Sequence, residues 1–459
     1  MRIFVENHSN HTMRRATFIL LFIFSALTTI SHAQGYRGRD FWICFPANAL
    51  LEGNKVLHQS VFITAESRTT GMIENSMTGS KTPFSIEAGA STAIELDSEL
   101  QMVSSGQIEK KSVHITSEKE ITVYAASHRP ASTDSYAAIP TELLGTEYEV
   151  VGYDRLPSSG VGFSTECGIV ATEDNTLIAI HLTAGTTNGL PAGRNLSMAL
   201  NRGQTLQLES STDASRKNDL TGTIVTSTKP IAFFTGHRCA QVPATMSYCD
   251  MLLEMEPPVN KWGTDFILSR FFGKDYYVAR VVANQDNTDV TVDGKIVGHL
   301  MKGGFYEAKH LFQDAVIHTS KPALVAQYGT SAEADTLKVG DPFMLLAIPS
   351  DRFITEVTST AVTNGGFYHY LNIVVPDTGI GSLRIDGGQP LAAESADVEV
   401  THSKHKIPGT EYTVLTYRVR DGRHLITCGA PIGVYSYGFG VMENNYDSYG
   451  HACGQRLGK

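Results

Sequence analysis

One short phrase recurs four times along this 459-residue chain, and its spacing limits the fold more than any other feature. Glu118–Ser127 reads EKEITVYAAS, Thr228–His237 TKPIAFFTGH, Ser320–Gly329 SKPALVAQYG and Gly429–Gly438 GAPIGVYSYG. With Glu120, Pro230, Pro322 and Pro431 taken as equivalent, the copies lie 110, 92 and 109 residues apart. That period is the size of a domain, several times a solenoid repeat. The flanks repeat too. An aspartate opens each exit: Asp134 before AAIP ending at Pro140, Asp250 before Pro257-Pro258, and Asp341 before FMLLAIP ending at Pro349. Near the end, Asp447-Ser448-Tyr449 echoes Asp134-Ser135-Tyr136. The opening segments recur as Gly38-Arg39-Asp40-Phe41, Gly145-Thr146-Glu147-Tyr148 and Gly263-Thr264-Asp265-Phe266.

Between these phrases the chain reads as strands. Ile231–Phe234 is an apolar, partly aromatic run ended by Gly236, which places His237, Arg238 and Cys239 in a loop. In the second unit Gly168–Thr172 runs into Glu173-Asp174-Asn175-Thr176 before Leu177–Leu182 resumes, and Asp286-Asn287-Thr288 repeats the reversal. Asn and Asp tolerate the left-handed conformation and bond their own backbone, so both stretches are expected to be hairpins. No long segment has a 3.6-residue apolar period, and helix should be scarce. Six or seven short strands in about 100 residues fit an Ig-like β-sandwich. The expected fold is all-β, with four tandem modules at 34–137, 138–255, 256–346 and 347–459. A closed, β-propeller-like repeat competes, but a blade needs only about four strands, so these units are too long for it.

A 42% hydrophobic share is enough to close cores. With 47 acidic against 37 basic residues the net charge is −10, and no basic face is visible, so no nucleic-acid partner is expected. Met13-Arg14-Arg15, the apolar Ala16–Leu27 and the small-x-small Ser31-His32-Ala33 read as a secretory signal over residues 1–33, with Met13 as the expected start. That apolar run falls short of the roughly twenty residues that span a bilayer. Nothing after Gln34 reaches such a length, so the mature chain is expected to be secreted and extracellular, with no membrane span.

Six cysteines, Cys44, Cys167, Cys239, Cys249, Cys428 and Cys453, suggest disulfides in that compartment. Cys239 and Cys249 bound one short loop and form the expected pair, stabilising by roughly 2–3 kcal/mol. The rival is a zinc site from His237, Cys239, Cys249 and Asp250; an oxidising compartment favours the disulfide.

No GxSxG, HExxH, phosphate-loop or calcium-loop pattern occurs, so no catalytic residue, cofactor or metal is assigned. Glu254 and Glu256 read as solvated, and His402 and His405 in HSKHK as a polar loop. Cys167 and Cys428 have no arranged His or Asn partner that would make them nucleophiles. The first candidate for a ligand surface is the cysteine-bounded loop with His237, Arg238, Gln241 and Tyr248, which mixes aromatic and cationic groups. Its plain alternative is module packing, with Arg238 paired to Asp250. Trp262 reads as core. The junction aspartates Asp134, Asp250 and Asp341 read as turn caps, with calcium binding as the alternative. Asn195-Leu196-Ser197 is a candidate glycan acceptor.

Several separated motifs, GRDFWICFPAN, ATEDNT, TSTKPIAFFTGHRCAQVP, CDMLLEMEPPVNKWG, KPALVAQYG, DPFMLLAIP and GVYSYGFG, together resemble the amino-terminal domain family of IgGFc-binding protein. The resemblance runs from about Gly38 to Gly454. It implies an extracellular, mucus- or surface-associated adhesion module that binds a protein or glycan without catalysis. In that relative the domain precedes von Willebrand D-type assemblies; this chain is read as a stand-alone copy without them. Self-assembly into a structural matrix is the alternative, and a hydrolase with a site built across modules the second.

Overall fold

The repeated phrase marks a bend in a strand. The computed structural model describes residues 35–49, 56–154, 163–213, 218–361, 366–389, 402–440 and 446–458; the leader read at 1–33 and the junction at Gln34 lie outside them. Four long strands, Ser112–Arg129, Ile224–Ala240, Ala315–Tyr328 and Arg423–Gly440, each carry one copy of the phrase. Alongside each runs a shorter opening strand, and in all four pairs the register slips at the same place. Thr116 and Ile121 pair with residues on either side of Arg39, Thr226 and Ile231 on either side of Thr146, His318 and Ala323 on either side of Thr264, and Thr427 and Ile432 on either side of Thr355. Four residues of the long strand therefore face one of its partner, and three of the four excursions end in Pro230, Pro322 or Pro431. Proline has no N–H to give a ladder, so a bulge is where a strand tolerates it.

The bend lets one strand serve two layers. In the second sheet Ile224–Ser227 pairs with Ile178–His181, whereas Ile231–His237 pairs with Thr165–Ala171. The apolar faces close over Tyr148, Ile169, Ile178, Leu206, Val225 and Phe233, giving the sandwich interior. This arrangement overturns the two expected hairpins. Asn175 and Asn287 do adopt the left-handed conformation, at φ 55° and 56°. Yet the strands they join pair with different halves of the long strand, so each turn is an arch between layers. The protein is all-β, with four antiparallel sheets of seven, eight, seven and seven strands. The sheets occupy residues 37–137, 145–255, 263–346 and 354–452, except that Ile108–Glu109 joins the second.

After each long strand a short inner strand returns beside it: Ser132–Ala137, Asp250–Met255, Met344–Leu346 and Ser448–Ala452. These four pack on one another in a closed circuit, the first against the second and fourth, and the third against the same two. Each of the first three exits then passes a proline and a 3₁₀ turn before the next opening strand. A Cβ on Gly38, Gly145 or Gly263 would lie 2.5, 2.4 and 2.4 Å from Pro140, Pro258 and Pro349. The recurring glycine is the space into which the recurring proline packs.

Candidate functional site

The connections between long and inner strands gather at one end of the circuit. The first is a tight reversal at Pro130-Ala131; the second and third span 241–249 and 329–343. Val242 and Ser331 exchange two hydrogen bonds, of 3.0 and 2.7 Å, and the Ser247 N–H donates to Glu333 at 2.5 Å. The ring of Tyr248 stacks on Tyr446 from the fourth module, with centroids 4.9 Å apart and planes 14° from parallel. Both rings reach solvent, at 51% and 37% exposure, and Leu337 of the third connection is 63% exposed. Tyr248 holds φ at 69°, a region that bulky side chains avoid at a cost of order 1–3 kcal/mol. Next to it the expected disulfide joins Cys239 and Cys249, with Cα atoms 5.1 Å apart.

The structure redistributes the four residues proposed for this loop. The strand does not stop at Gly236 but continues to Ala240, so His237, Arg238 and Cys239 lie in the ladder. Gly236 is needed there because a Cβ would meet the Leu252 carbonyl oxygen at 1.8 Å. His237 is buried, and its Nδ1 accepts from the Cys239 N–H. Arg238 does not pair with Asp250; its guanidinium lies 3.4 Å from the carboxylate of Glu209. Burial pushes Glu209 up, and Arg238 partly offsets this. Gln241 is half-buried at the start of the connection, and Tyr248 alone of the four is well exposed. Tyr446, missed in the sequence, is its partner.

Other assignments are corrected by burial. Cys44, Cys167, Cys428 and Cys453 are free thiols in the interior, not further disulfides. Burial, and then Glu256, push the Cys167 thiol well up, leaving it no thiolate character. Glu254 and Glu256 are buried, not solvated: Glu254 accepts from the N–H groups of Leu346 and Ala452, and Glu256 from that of Val151. Residues 402–406 form an edge strand instead of a loop. His405 meets Arg270 at 2.8 Å, beside a cleft of about 880 Å³ whose Asp293 and Asp314 already accept the N–H groups of Val316 and Arg270. Trp262 is core and donates to the Pro257 carbonyl. Asn195 is exposed at the start of an edge strand and contacts His181.

The junction aspartates do more than cap turns. Asp134 accepts four N–H groups, from Ser135 in its own module and from Leu253, Met344 and Gly450 in the other three, at 2.8–3.3 Å. Asp250 accepts from Met251, Thr133 and Ser448. Asp341 accepts from Ala332, and Asp447 from the Thr133 hydroxyl. Among the described residues no group of three or more His, Cys, Asp or Glu side chains is arranged to hold a metal.

Comparison with known proteins supplies the family. A family described as IgGFc binding protein matches residues 134–438, about two thirds of the chain, from the first junction aspartate into the fourth long strand. The human "IgGFc-binding protein" is 30% identical over 217 residues, covering 46% of this chain and 4% of the relative's own length. The chain thus spans a small fraction of that relative.

Proposed function

This chain belongs to the IgGFc-binding protein family, and on that premise we propose that it is a secreted, extracellular binding module that recognises a protein partner without catalysis, through the end of the circuit where Tyr248 and Tyr446 stack. The observation that carries this reading is the exposed aromatic pair itself. Tyrosines supply large contact area at little entropic cost and dominate binding surfaces. Here the pair is set on connections braced by a disulfide and by bonds between modules. No helix among the described residues is long and apolar enough to cross a membrane. The human relative is named for binding the Fc part of IgG, which makes an Fc fragment the first probe.

The test is capture by the chain from Gln34 to Lys459, with immobilised IgG Fc in one arm and the extracellular fluid of the host in the other. A parallel bait carries Tyr248→Ala and Gln241→Ala, checked for folding by circular dichroism. Binding of either probe that weakens at least tenfold in the altered bait supports the site. Equal capture by both baits removes it from this end, and a partner that is a glycan revises the class of ligand.

A second reading, self-association, has its own observation. Strand Lys295–Leu300 is an edge of the third sheet and leaves Ile296 62% and Val297 37% exposed. The first sheet's edge strand Lys81–Ile86 carries Pro83, a residue that blocks pairing. Edge-to-edge assembly through 295–300 makes sedimentation depend on concentration; a chain that stays monomeric at high concentration ends this reading.

A further inference from the structure

The centre of the circuit holds more acid than its surroundings can neutralise. Asp134, Asp250, Asp341, Asp447 and Glu254 are each at most 3% exposed. They come from all four modules: Asp134, Asp250 and Glu254 accept amide N–H groups from other modules, Asp447 accepts the Thr133 hydroxyl of the first, and Asp341 accepts an amide of its own module beside them. From the first module, the ring of His128 sits 3.6 Å from Asp447 and Tyr36 faces Glu254. From the third, Lys274 faces Asp250 and Asp341 but is bonded to Asp335 at 2.9 Å. From the fourth, His451 bonds Ser135 and Cys453 lies near Glu254, while the backbone of Ser448 and Ala131 and the Thr133 hydroxyl support Asp447. Burial drives His128 down to about 4 and His451 to about 3, so both are neutral at physiological pH. Among the described residues this leaves one ammonium group, already matched, against five further carboxyls. A buried carboxylate without a compensating cation takes a proton before it keeps its charge.

We propose that this hub is a proton-dependent latch: the carboxyl groups that tie the four modules together hold protons at neutral pH, and the ties weaken as the solution turns alkaline. Burial pushes Asp341 up to about 7 and Asp447 up to about 8, and moves Asp134, Asp250 and Glu254 upward as well; for Asp250 the neighbouring Asp447 and Asp341 add to the effect. The direction follows from linkage. The folded state keeps protons that the unfolded chain has released, so this contribution is complete below the ordinary carboxylate range and is lost as pH rises through about 7–8. In the protonated form each carboxyl still accepts through its carbonyl oxygen; at Asp134, where both oxygens face N–H donors, the amides oppose the proton and burial favours it. In the ionised form the same groups repel one another across a dry core.

Thermal and urea unfolding of the chain from Gln34 to Lys459 between pH 6 and pH 9 tests the latch. The melting temperature of the unaltered protein should fall over this window, by on the order of 5 °C. The variant Asp341→Asn with Asp447→Asn cannot ionise at these positions and should show a shallower fall than the unaltered protein, the remainder coming from Asp134, Asp250, Glu254 and the buried carboxyls outside the hub. Glu149→Gln, in the seam between the second and third sheets, should leave the hub's share in place. A flat or rising melting temperature in the unaltered protein, or a parallel fall in the double variant, overturns the proposal. Should the double variant not fold, calorimetry of the unaltered protein at pH 7.5 in buffers of different ionisation enthalpy decides: the latch requires net proton release on unfolding, and none or net uptake rejects it.

Discussion

At the seam between the second and third sheets, Arg280 is buried as deeply as the hub aspartates, and the two regions satisfy their charges in opposite ways. Its guanidinium meets Asp219 at 2.7 Å and Glu307 at 2.8 Å, donates to the Gly152 carbonyl, and lies between the rings of Tyr153 and Phe305 at 4.5 and 4.6 Å. Burial raises Asp219, but Arg280 and the hydrogen bonds from Thr221 together more than offset it and hold the carboxyl below its usual range. Among the described residues the hub has no such guanidinium; its carboxyls lean on backbone amides and shift upward. A planar, delocalised cation matches two carboxylates at once, whereas an amide contributes only a partial charge. The Arg280 site is therefore built for charge and the hub for protons, while Glu149, elsewhere in the seam, is itself pushed up to about 8 by burial. Acid should loosen the first and alkali the second.

The largest expected effect comes from breaking the seam. Arg280→Leu strands Asp219 and Glu307 without their cation and should cost about 3–5 kcal/mol by urea unfolding at pH 7. Its pH dependence is the sharper readout. In the unaltered protein the Asp219 contribution is present above the ordinary carboxylate range and is lost as pH falls; in the variant, acid should restore stability by protonating the stranded Asp219. A loss below about 1 kcal/mol, or an unchanged acid limb, erases the distinction between the regions. Next comes Lys274→Met, which removes a buried ammonium bonded to Asp335 and to the carbonyls of Thr330, Val339 and Gly340. About 3 kcal/mol should be lost. Because this is the cation facing the hub, the alkaline fall should steepen, and a parallel shift at all pH values would detach Lys274 from the hub.

Replacing Cys239 and Cys249 together by Ser removes a constraint that carries no charge. The ten-residue separation sets a loss of about 2–3 kcal/mol. That loss should be equal at pH 5 and pH 9. It is the control against which both charged regions are read, and a pH-dependent loss would mean that the disulfide and the hub are coupled.

The sequence shows the seam and the hub unequally. The four phrases were visible because Pro230, Pro322 and Pro431 interrupt apolar runs, and a proline in a strand has a mechanical meaning independent of partners. The hub aspartates were visible as repeats, but their role was not, since the amides that Asp134 accepts lie 119, 210 and 316 residues away. Local turn chemistry misled in one place: Asn175 and Asn287 adopt the conformation expected of them, yet a tight turn does not say whether its strands pair with each other. Gly236 misled in another, since a glycine that ends a strand and one that admits a neighbouring backbone read alike. Arg280 carried a signal that went unused, as the one charge inside the apolar run Tyr277–Ala283. An isolated charge in such a run needs a buried counterion, and Asp219 and Glu307 are what it found.

The smallest expected effect is the most direct test of the hub's chemistry. Asp134 accepts N–H groups from all four modules, two on each oxygen, so an ionised reading makes its replacement by Asn severe: one oxygen becomes an NH2 that faces donors. A protonated reading makes the same change mild, because a neutral carboxyl and an amide both present one carbonyl acceptor. Burial dominates at this position and moves the carboxyl upward despite the four amides. Asp134→Asn should therefore cost about 1 kcal/mol or less at pH 6. The difference from the unaltered protein should shrink as pH rises toward 9, where the native carboxyl begins to ionise and the amide does not. Paired urea curves at the two pH values read it directly. A loss of about 3 kcal/mol or more that is constant with pH would mean that Asp134 is an ionised acceptor, and the contrast between a seam built for charge and a centre built for protons would fall with it.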